Sequence, residues 1–326
     1  MTDSLRPRIL LTRRWPEAVE RRLAERFDVT LNESDAPMDE AALFGAMMDH
    51  DALCPTVSDK IPASVIEAPG RRVKLIGNYG VGFNHIDIDA CRRVGLPVSN
   101  TPGVLTDATA DLALTLLLMT ARRAGEGERE LRGGRWSGWR PTHLIGSELK
   151  GRTLALVGFG RIAQATAERA HFGFGMEIAY WSRSRASAEV EARLGARHVA
   201  DLDTLVAAAD FLSLHVPGGA ETRHLIDARR LALMKSTAHL VNTARGDVVD
   251  EAALGTALAN GTIAGAALDV YIDEPRVNPA LLDLENAVLL PHLGSATRET
   301  REAMGMKVLA NLEAFFDGRE LPDRVV

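Results

Sequence analysis

The chain has 326 residues, a net charge of −6 and a hydrophobic content of 46%. This composition is typical of a globular protein long enough to bury a large core, and it excludes a basic nucleic-acid-binding or membrane-surface protein. The two cysteines, Cys54 and Cys91, are far apart. This spacing argues against a disulfide framework and predicts a reducing compartment, so we expect a cytoplasmic protein.

Short apolar runs alternate with helical patterns along the whole chain, which predicts parallel β-sheets covered by helices on both faces. The runs that predict strands form two series. The first begins at "RILLT" (8–12) and ends at "PVSN" (97–100); the second begins at "TLALVGFG" (153–160) and ends at "AVLLP" (287–291). The fold class expected from this pattern is α/β, with two doubly wound parallel-sheet domains.

The boundary between the two predicted domains falls where proline and glycine interrupt the pattern, at "NTPG" (100–103). A helical pattern over 105–122 leads into the second domain, and another over 297–318 returns to the first. We therefore predict a discontinuous first domain of residues 1–103 plus 297–326 and a second domain of residues 104–296. The segment 125–150 is rich in glycine and tryptophan and is expected to form an arm or a dimer contact.

The stretch "LALVGFGRIAQATAERA" (154–170) places G-x-G-x-x-A between a predicted strand and a predicted helix. In this fingerprint Gly158 permits the tight turn, Gly160 lets the backbone approach a pyrophosphate, and Ala163 replaces the third glycine. Phe159, Arg161 and Ile162 lie in the same turn. The alternative is a tight structural turn without a ligand, but the repeat of strand–helix units favours dinucleotide binding.

The end of the next strand reads "AYWSRSRAS" (179–187) and has no acid to accept a hydrogen bond from a ribose 2′-hydroxyl. Ser182, Arg183 and Arg185 could instead bind a 2′-phosphate, because guanidinium groups match phosphate geometry. The alternative is a solvated basic loop. The pattern favours NADP(H) as the cofactor and leaves NAD(H) possible.

Three chemistry-bearing residues follow three successive predicted strands of the second series: Arg245 in "VNTARG", Glu274 in "IDEP" and His292 in "LLPHLGS". The carboxyl ends of parallel strands line one crevice, so these side chains can meet there. Arginine can bind a carboxylate with two hydrogen bonds, although a structural ion pair explains Arg245 equally well. Glutamate beside histidine favours the protonated ring, which suits an acid that protonates a carbonyl oxygen. No group of residues has metal-ligand spacing, so no metal is expected.

These motifs resemble the D-2-hydroxyacid dehydrogenase family over nearly the whole chain, most closely its glyoxylate/hydroxypyruvate reductases. "GFGRIA", "NTARG", "DEP" and "PHLGSATRETR" carry the resemblance in the second domain, and "NYGVGFNHID" (78–87) and "VSNTPGVLTDATADLALTLLL" (98–118) carry it in the first. One stretch departs from the family pattern: "HVPGGAETRHLI" (215–226) has two glycines where members commonly have larger residues.

The resemblance implies a flavodoxin-like substrate domain, a Rossmann cofactor domain, a cleft between them and a homodimer. It implies that Arg245 binds the substrate carboxylate with the N–H groups of Val81 and Gly82, and that Glu274 supports His292 as the acid. It places a further set of residues at the cofactor: Thr109, His215, Val216, Pro217, Thr222, Thr243, Ala244, Asp269 and His292.

The expected reaction is the reduction of a small 2-oxoacid, glyoxylate or hydroxypyruvate, to the D-2-hydroxyacid. A dehydrogenase for a bulkier 2-ketoacid and a non-catalytic NAD(P)-binding sensor related to corepressors are the alternatives. A methyltransferase is disfavoured by the basic "SRSR". In the arm, the resemblance suggests that Trp139 reaches the partner subunit's active site; the alternative is packing on its own subunit.

Overall fold

The computed structural model describes residues 6–326, which fold into two compact units. One unit contains the described residues as far as Leu105 together with Ala296–Val326, and the other contains Thr106–Ser295. The first unit is therefore discontinuous, and the chain enters and leaves the second unit once. Among residues 6–326, no helix is both long enough and apolar enough to cross a bilayer.

The first unit is a five-stranded parallel sheet with helices on its two faces. Its strands are β1 (Arg8–Leu11), β2 (Asp28–Leu31), β3 (Ala52–Cys54), β4 (Leu75–Gly77) and β5 (Val98–Ser99). Its helices are α1 (Glu17–Arg26), α2 (Glu40–Asp49), α3 (Ala63–Ile66), α4 (Ile88–Arg93) and α13 (Arg298–Phe316). The strand order is β2-β1-β3-β4-β5, which is the flavodoxin-like order.

The second unit is a seven-stranded parallel sheet. Its strands are β6 (Thr153–Val157), β7 (Glu177–Trp181), β8 (Ala196–His198), β9 (Phe211–Leu214), β10 (His239–Asn242), β11 (Gly265–Leu268) and β12 (Ala287–Leu289). Its helices are α5 (Thr106–Ala121), α6 (Ala124–Arg132), α7 (Arg161–Glu168), α8 (Ala188–Leu194), α9 (Leu202–Ala208), α10 (Ala228–Leu233), α11 (Glu251–Ala259) and α12 (Pro279–Leu282). The order β12-β11-β10-β9-β6-β7-β8 is the Rossmann order with one added strand, and it reverses between β6 and β9.

The central strands form where the sequence supplies short, largely apolar runs, because a parallel sheet is buried on both faces. β6, β9, β10 and β11 are almost entirely buried, and their side chains pack into two hydrophobic clusters on opposite faces of the sheet. Several helices begin at an aspartate that accepts a hydrogen bond from a first-turn N–H, as Asp250 does for Ala252 and Ala253 before α11.

The two doubly wound parallel sheets predicted from the sequence are confirmed. β8 was not predicted, because Ala196–His198 is short and carries two polar side chains. α6 in the glycine-rich segment was not predicted either; Arg123 in a left-handed conformation (φ 50°) separates it from α5. Beyond α6 the rest of the segment has no regular helix or strand as far as β6.

Candidate active site

The carboxyl ends of β10, β11 and β12 carry the three residues that the sequence analysis grouped together. These strands are neighbours in the sheet, and the loops that follow them hold Arg245, Glu274 and His292. The structure brings Glu274 and His292 into direct contact. Glu274 also interacts electrostatically with Arg245.

Arg245 is positioned by a turn that the side chain of Asn242 holds. The Asn242 amide donates to the Arg245 carbonyl oxygen at 2.8 Å, and its oxygen accepts from the Ala244 N–H at 3.0 Å. The next residue, Gly246, lies so close to the loop after β11 that a Cβ there would be 1.9 Å from the Tyr271 carbonyl carbon. Only glycine fits, and this contact fixes the Arg245 turn against the loop that carries Glu274.

The Arg245 guanidinium is half-buried and donates to the Ala244 carbonyl oxygen at 2.7 Å. Burial lowers the pKa of Arg245, while the negative charges of Glu274 and Asp247 act in the opposite direction. The group stays protonated at any working pH because the ordinary pKa of arginine is so high. A half-buried cation beside a reactive pair is suited to bind a small carboxylate.

Glu274 and His292 form a hydrogen-bonded pair, with 2.7 Å between the His292 Nδ1 and the Glu274 Oε2 atoms. The other carboxylate oxygen accepts from the Tyr271 N–H at 3.0 Å, so the carboxylate is held from two sides. A carboxylate at Nδ1 favours the tautomer with its hydrogen there and leaves Nε2 to hold or release a proton.

Burial acts to raise the pKa of Glu274, but the hydrogen bond and charge of His292 outweigh it. The pKa of this carboxyl therefore lies below its ordinary value. His292 itself has a left-handed backbone conformation (φ 56°), which is uncommon for a residue with a side chain and often marks a functional position.

Asp269 holds the loop that carries His292. Its carboxylate accepts from the N–H groups of Leu293 at 2.6 Å and Gly294 at 2.8 Å, and the His292 N–H donates to its backbone oxygen at 2.9 Å. Burial, with the charge of Glu274 in addition, raises the pKa of Asp269. Thr109 donates to the Gly294 carbonyl oxygen at 3.0 Å. The polar atoms of both residues are thus used to support this loop.

The predicted phosphate-binding turn follows β6, next to the point where the strand order reverses. Gly158 has a φ of 90°, and a Cβ on it would lie 2.7 Å from the His215 carbonyl oxygen. A Cβ on Gly160 would meet nothing within 4 Å, so the space over this residue is open. Helix α7 begins at Arg161, and its first N–H groups, including that of Ile162, have no acceptor within the helix. The turn therefore fits a dinucleotide pyrophosphate. Phe159 is buried and stacks on Tyr180 at 3.8 Å between ring centroids.

The two arginines after β7 are held differently. Arg185 makes a two-pronged ion pair with Glu191, with Nε and Nη2 each 2.8 Å from a carboxylate oxygen. Arg183 makes a single contact of 3.0 Å between Nη1 and the Glu221 Oε2 atom. The Ser182 hydroxyl donates to the Ser184 carbonyl oxygen at 2.6 Å.

The loop after β9 begins at His215, whose Nε2 lies 2.9 Å from the Ser213 hydroxyl. Burial lowers the pKa of His215 to about 4, so its imidazole is neutral at pH 7. Val216 is buried, Pro217 is exposed, and the Thr222 hydroxyl donates to the Pro217 carbonyl oxygen at 2.6 Å. The loop is therefore closed on itself by Thr222.

Thr243 and Ala244 lie between β10 and Arg245. The Thr243 hydroxyl oxygen is buried and has no hydrogen-bond partner within residues 6–326. An unsatisfied buried hydroxyl is rare, and a bound ligand would satisfy it. Together with the open space over Gly160, it fits the nicotinamide cofactor that the sequence predicts.

In the first unit, the loop after β4 carries Val81 and Gly82. The Asn78 amide donates to the Gly82 carbonyl oxygen at 2.9 Å, and the Asn100 amide donates to that of Val81 at 2.9 Å. In the described part of the chain, neither the Val81 nor the Gly82 N–H donates to a protein acceptor. The Gly82 N–H shares a peptide plane with the Val81 carbonyl, and the Val81 N–H shares one with the Gly80 carbonyl, which accepts from the Asn78 amide at 3.0 Å. Both donors are therefore held in place and are available to a ligand.

In the arm, 82% of the Trp139 surface and 51% of the Trp136 surface are exposed. Both rings are mostly unburied within residues 6–326, and the partner contact suggested for Trp139 stays a prediction. Three residues that shape the site were not predicted from the sequence: Asn242, Glu191 and Glu221. Asn242 could have been noticed as a polar residue ending an apolar strand, whereas no pattern links the two glutamates to their arginines. Over residues 6–326, no group of three or more His, Cys, Asp or Glu side chains is placed to hold a metal ion.

Comparison with known proteins gives a consistent result. Residues 114–294 match the family described as D-isomer specific 2-hydroxyacid dehydrogenase, NAD binding domain. The glyoxylate reductase of Thermococcus litoralis is 46% identical over 327 residues, covering 99% of this chain and 97% of that protein. The glyoxylate reductase of Pyrococcus furiosus is 45% identical, with 99% and 96% covered.

Among solved structures, the NADPH-dependent glyoxylate/hydroxypyruvate reductase of Sinorhizobium meliloti, in complex with NADP and malonate, superposes with a TM-score of 0.87. It is 38% identical, and the match covers 98% of this chain and 97% of that chain. The family predicted from the sequence motifs is confirmed. The chain is an NAD(P)-dependent oxidoreductase and belongs to the D-isomer specific 2-hydroxyacid dehydrogenase family.

Proposed function

We propose that this protein reduces a small 2-oxoacid, glyoxylate or hydroxypyruvate, to the D-2-hydroxyacid and prefers NADPH. The observation that carries the proposal is the 2.7 Å pair of Glu274 and His292 on the sheet edge that also carries Arg245. A carboxylate-supported imidazole next to a half-buried guanidinium can protonate a carbonyl oxygen and bind the adjacent carboxylate. The names of the related glyoxylate reductases support the substrate class.

His292 is the proposed acid. Its Nδ1 is occupied by Glu274, so Nε2 gives its proton to the carbonyl oxygen as negative charge develops there. Glu274 is the proposed partner that orients the ring and stabilises its protonated form. His215 cannot take this part at neutral pH, because its pKa of about 4 keeps it neutral.

Arg245 is proposed to bind the substrate carboxylate with two hydrogen bonds and to polarise the neighbouring carbonyl. For the first unit we propose a separate contribution, in which the N–H groups of Val81 and Gly82 donate to the substrate carboxylate. Support comes from the fixed carbonyl groups of Gly80 and Val81, which share peptide planes with these two N–H groups and so orient them.

When bound, NADPH would supply the hydride that reduces the carbonyl carbon. The residues proposed to hold it are the turn at Gly158–Ile162, four residues of the loop after β9 (His215, Val216, Pro217 and Thr222), and Thr243 with Ala244. Thr109 and Asp269 would contribute by supporting the His292 loop. The preference for NADPH is proposed to come from Arg183 with Ser182, and Arg185 is proposed to shape the loop through Glu191.

We further propose a homodimer in the cytoplasm, with Trp139 contacting the partner subunit. A tryptophan that is 82% exposed on its own chain is typical of an interface residue. Cys54 and Cys91 are both buried and unpaired, which suits a reducing compartment.

The proposal is tested with a panel of 2-oxoacids, each assayed with NADPH and with NADH. Glyoxylate or hydroxypyruvate with NADPH should give the highest kcat/KM, and a bulkier 2-ketoacid the lowest. A higher kcat/KM for a branched 2-ketoacid would contradict the substrate assignment. Cofactor binding without oxidation of NADPH by any member of the panel would instead support a nucleotide sensor.

A further inference from the structure

We infer that Glu221 determines cofactor specificity by competing with the 2′-phosphate of NADPH for the guanidinium of Arg183. The inference rests on the proposed preference for NADPH and adds a residue that limits this preference. Glu221→Gln keeps the side-chain volume and removes the negative charge. This substitution should tighten the binding of NADPH and leave the binding of NADH unchanged.

The first observation is the pairing of the two arginines after β7. Arg185 makes two hydrogen bonds to Glu191, whose side chain is only 12% exposed and also accepts from the Tyr180 hydroxyl at 2.6 Å. A ligand that took Arg185 from this pair would leave the negatively charged, mostly buried Glu191 without a cation. Arg185 is therefore not readily available to a ligand.

Arg183 is held in a different way. Its single 3.0 Å contact with Glu221 joins two side chains that are 76% and 81% exposed. Exposed ion pairs of this kind are worth little, so an incoming phosphate can replace the carboxylate at small cost. Of the two arginines, Arg183 is therefore the one that can exchange its partner for a ligand.

The second observation is the position of the pair in the sheet. Arg183 follows β7 and Glu221 lies in the loop after β9, and β6 lies between these two strands. The phosphate-binding turn at Gly158–Gly160 follows β6. The ion pair thus connects the two loops that flank this turn, where the dinucleotide is proposed to bind.

The electrostatic consequence differs between the two cofactors. A phosphate monoester carries about −1.5 to −2 charges at pH 7, so a 2′-phosphate bound by Arg183 would repel the Glu221 carboxylate. NADH has a hydroxyl at this position and brings no such charge. Glu221 should therefore weaken NADPH binding by the value of one exposed ion pair, roughly 1.5- to 5-fold, and affect NADH very little.

The experiment measures the dissociation constants of NADPH and NADH by fluorescence titration of the free enzyme, without substrate. The variants are Glu221→Gln, Arg183→Ala and the double variant. The matched control is Glu189→Gln, which removes the same charge from an exposed glutamate in the first turn of α8; Glu189 makes no ion pair within residues 6–326.

We expect Glu221→Gln to tighten NADPH binding by roughly 1.5- to 5-fold, with NADH binding almost unchanged and the control showing no comparable gain. The gain should shrink as salt concentration rises. In the Arg183→Ala background, Glu221→Gln should add no further tightening, because the contested guanidinium is gone.

Four results would overturn the inference. Weaker binding of both cofactors to Glu221→Gln would mean that the Arg183–Glu221 ion pair stabilises the bound state of either dinucleotide. Equal tightening by the control would indicate a general charge effect. An unchanged NADPH dissociation constant, with Arg183→Ala still selective against NADPH, would remove Glu221 alone; an Arg183→Ala variant that loses both cofactors equally would overturn the proposed NADPH preference as well.

Discussion

Two regions at the carboxyl edge of the same sheet are built in different ways. The loops after β10, β11 and β12 are fixed by backbone atoms and buried groups: Asn242 closes the turn before Arg245, Gly246 lies against Tyr271, and Asp269 binds the N–H groups of Leu293 and Gly294. In the loop after β7, by contrast, the Arg183 side chain is exposed to solvent. It makes a single ion pair, with the exposed side chain of Glu221.

The difference separates two properties of the site. Acid catalysis needs a proton donor held within hydrogen-bond range of its partner, which a buried network can provide. The choice between two cofactors needs only a charge of the right sign, which an exposed loop can change at low cost to stability. Changes in the first region should therefore affect turnover, and changes in the second should affect which cofactor binds.

The largest expected effect is on the acid. His292→Ala should lower kcat by roughly 10²–10⁴, the range for loss of a general acid, because no other group takes over the proton transfer. The dissociation constant of NADPH should stay close to that of the parent protein, which a binding titration checks. A variant with near-normal kcat would refute the assignment of His292.

A smaller effect is expected on cofactor affinity. Arg183→Ala with Arg185→Ala should weaken NADPH by roughly 10- to 100-fold, the value of a lost charge-assisted hydrogen bond, and should weaken NADH much less. Arg183→Ala alone should account for most of the loss, because Arg185 is bound by Glu191. Equal losses of both cofactors would show that the loop does not bind the phosphate.

The next effect is a change in pH dependence. The pKa of Glu274 is lowered because burial is outweighed by its contact with His292, so the carboxylate stays ionised at working pH and favours a protonated ring. Glu274→Gln removes this negative partner, so the loss of reductase activity with rising pH should begin at a lower pH, which a kcat profile against pH measures.

The same sign applies to stability. A carboxyl with a lowered pKa stabilises the folded state above its unfolded pKa, and this contribution is lost as pH falls through the folded value. Glu274→Gln should therefore flatten the fall in the free energy of unfolding at acid pH. A kcat profile and an acid unfolding curve that both coincide with those of the parent protein would contradict the pairing.

The smallest expected effect concerns the arm. If Trp139 contacts the partner subunit next to the substrate, Trp139→Ala should shift the ranking of 2-oxoacids a few-fold toward bulkier ones, while the cofactor dissociation constants stay constant. Trp136→Ala is the comparison, because it removes a second exposed tryptophan from the same segment. Identical rankings in both variants and the parent protein would leave Trp139 without a part in substrate choice.

Much of the fold and the composition of the site could be predicted because they depend on local patterns. Apolar runs that alternate with helical periods specify parallel sheets, and the order of Arg245, Glu274 and His292 after successive strands follows from the chain itself. The pattern failed at β8, where two of three residues are polar, and at α6, where glycines suggested an irregular arm.

The sequence by itself determined two doubly wound sheets, a glycine turn after the first strand of the second unit, and which side chains stand at the carboxyl edge. Only the tertiary structure decided how these side chains are used: that Glu274 contacts His292, that Asp269 supports the His292 loop, and that Arg185 but not Arg183 is committed to a shielded carboxylate. The physical reason is the distance along the chain over which each kind of interaction acts. Backbone propensity and burial act over a few residues, whereas hydrogen bonds and ion pairs join atoms that only folding brings within 3 Å.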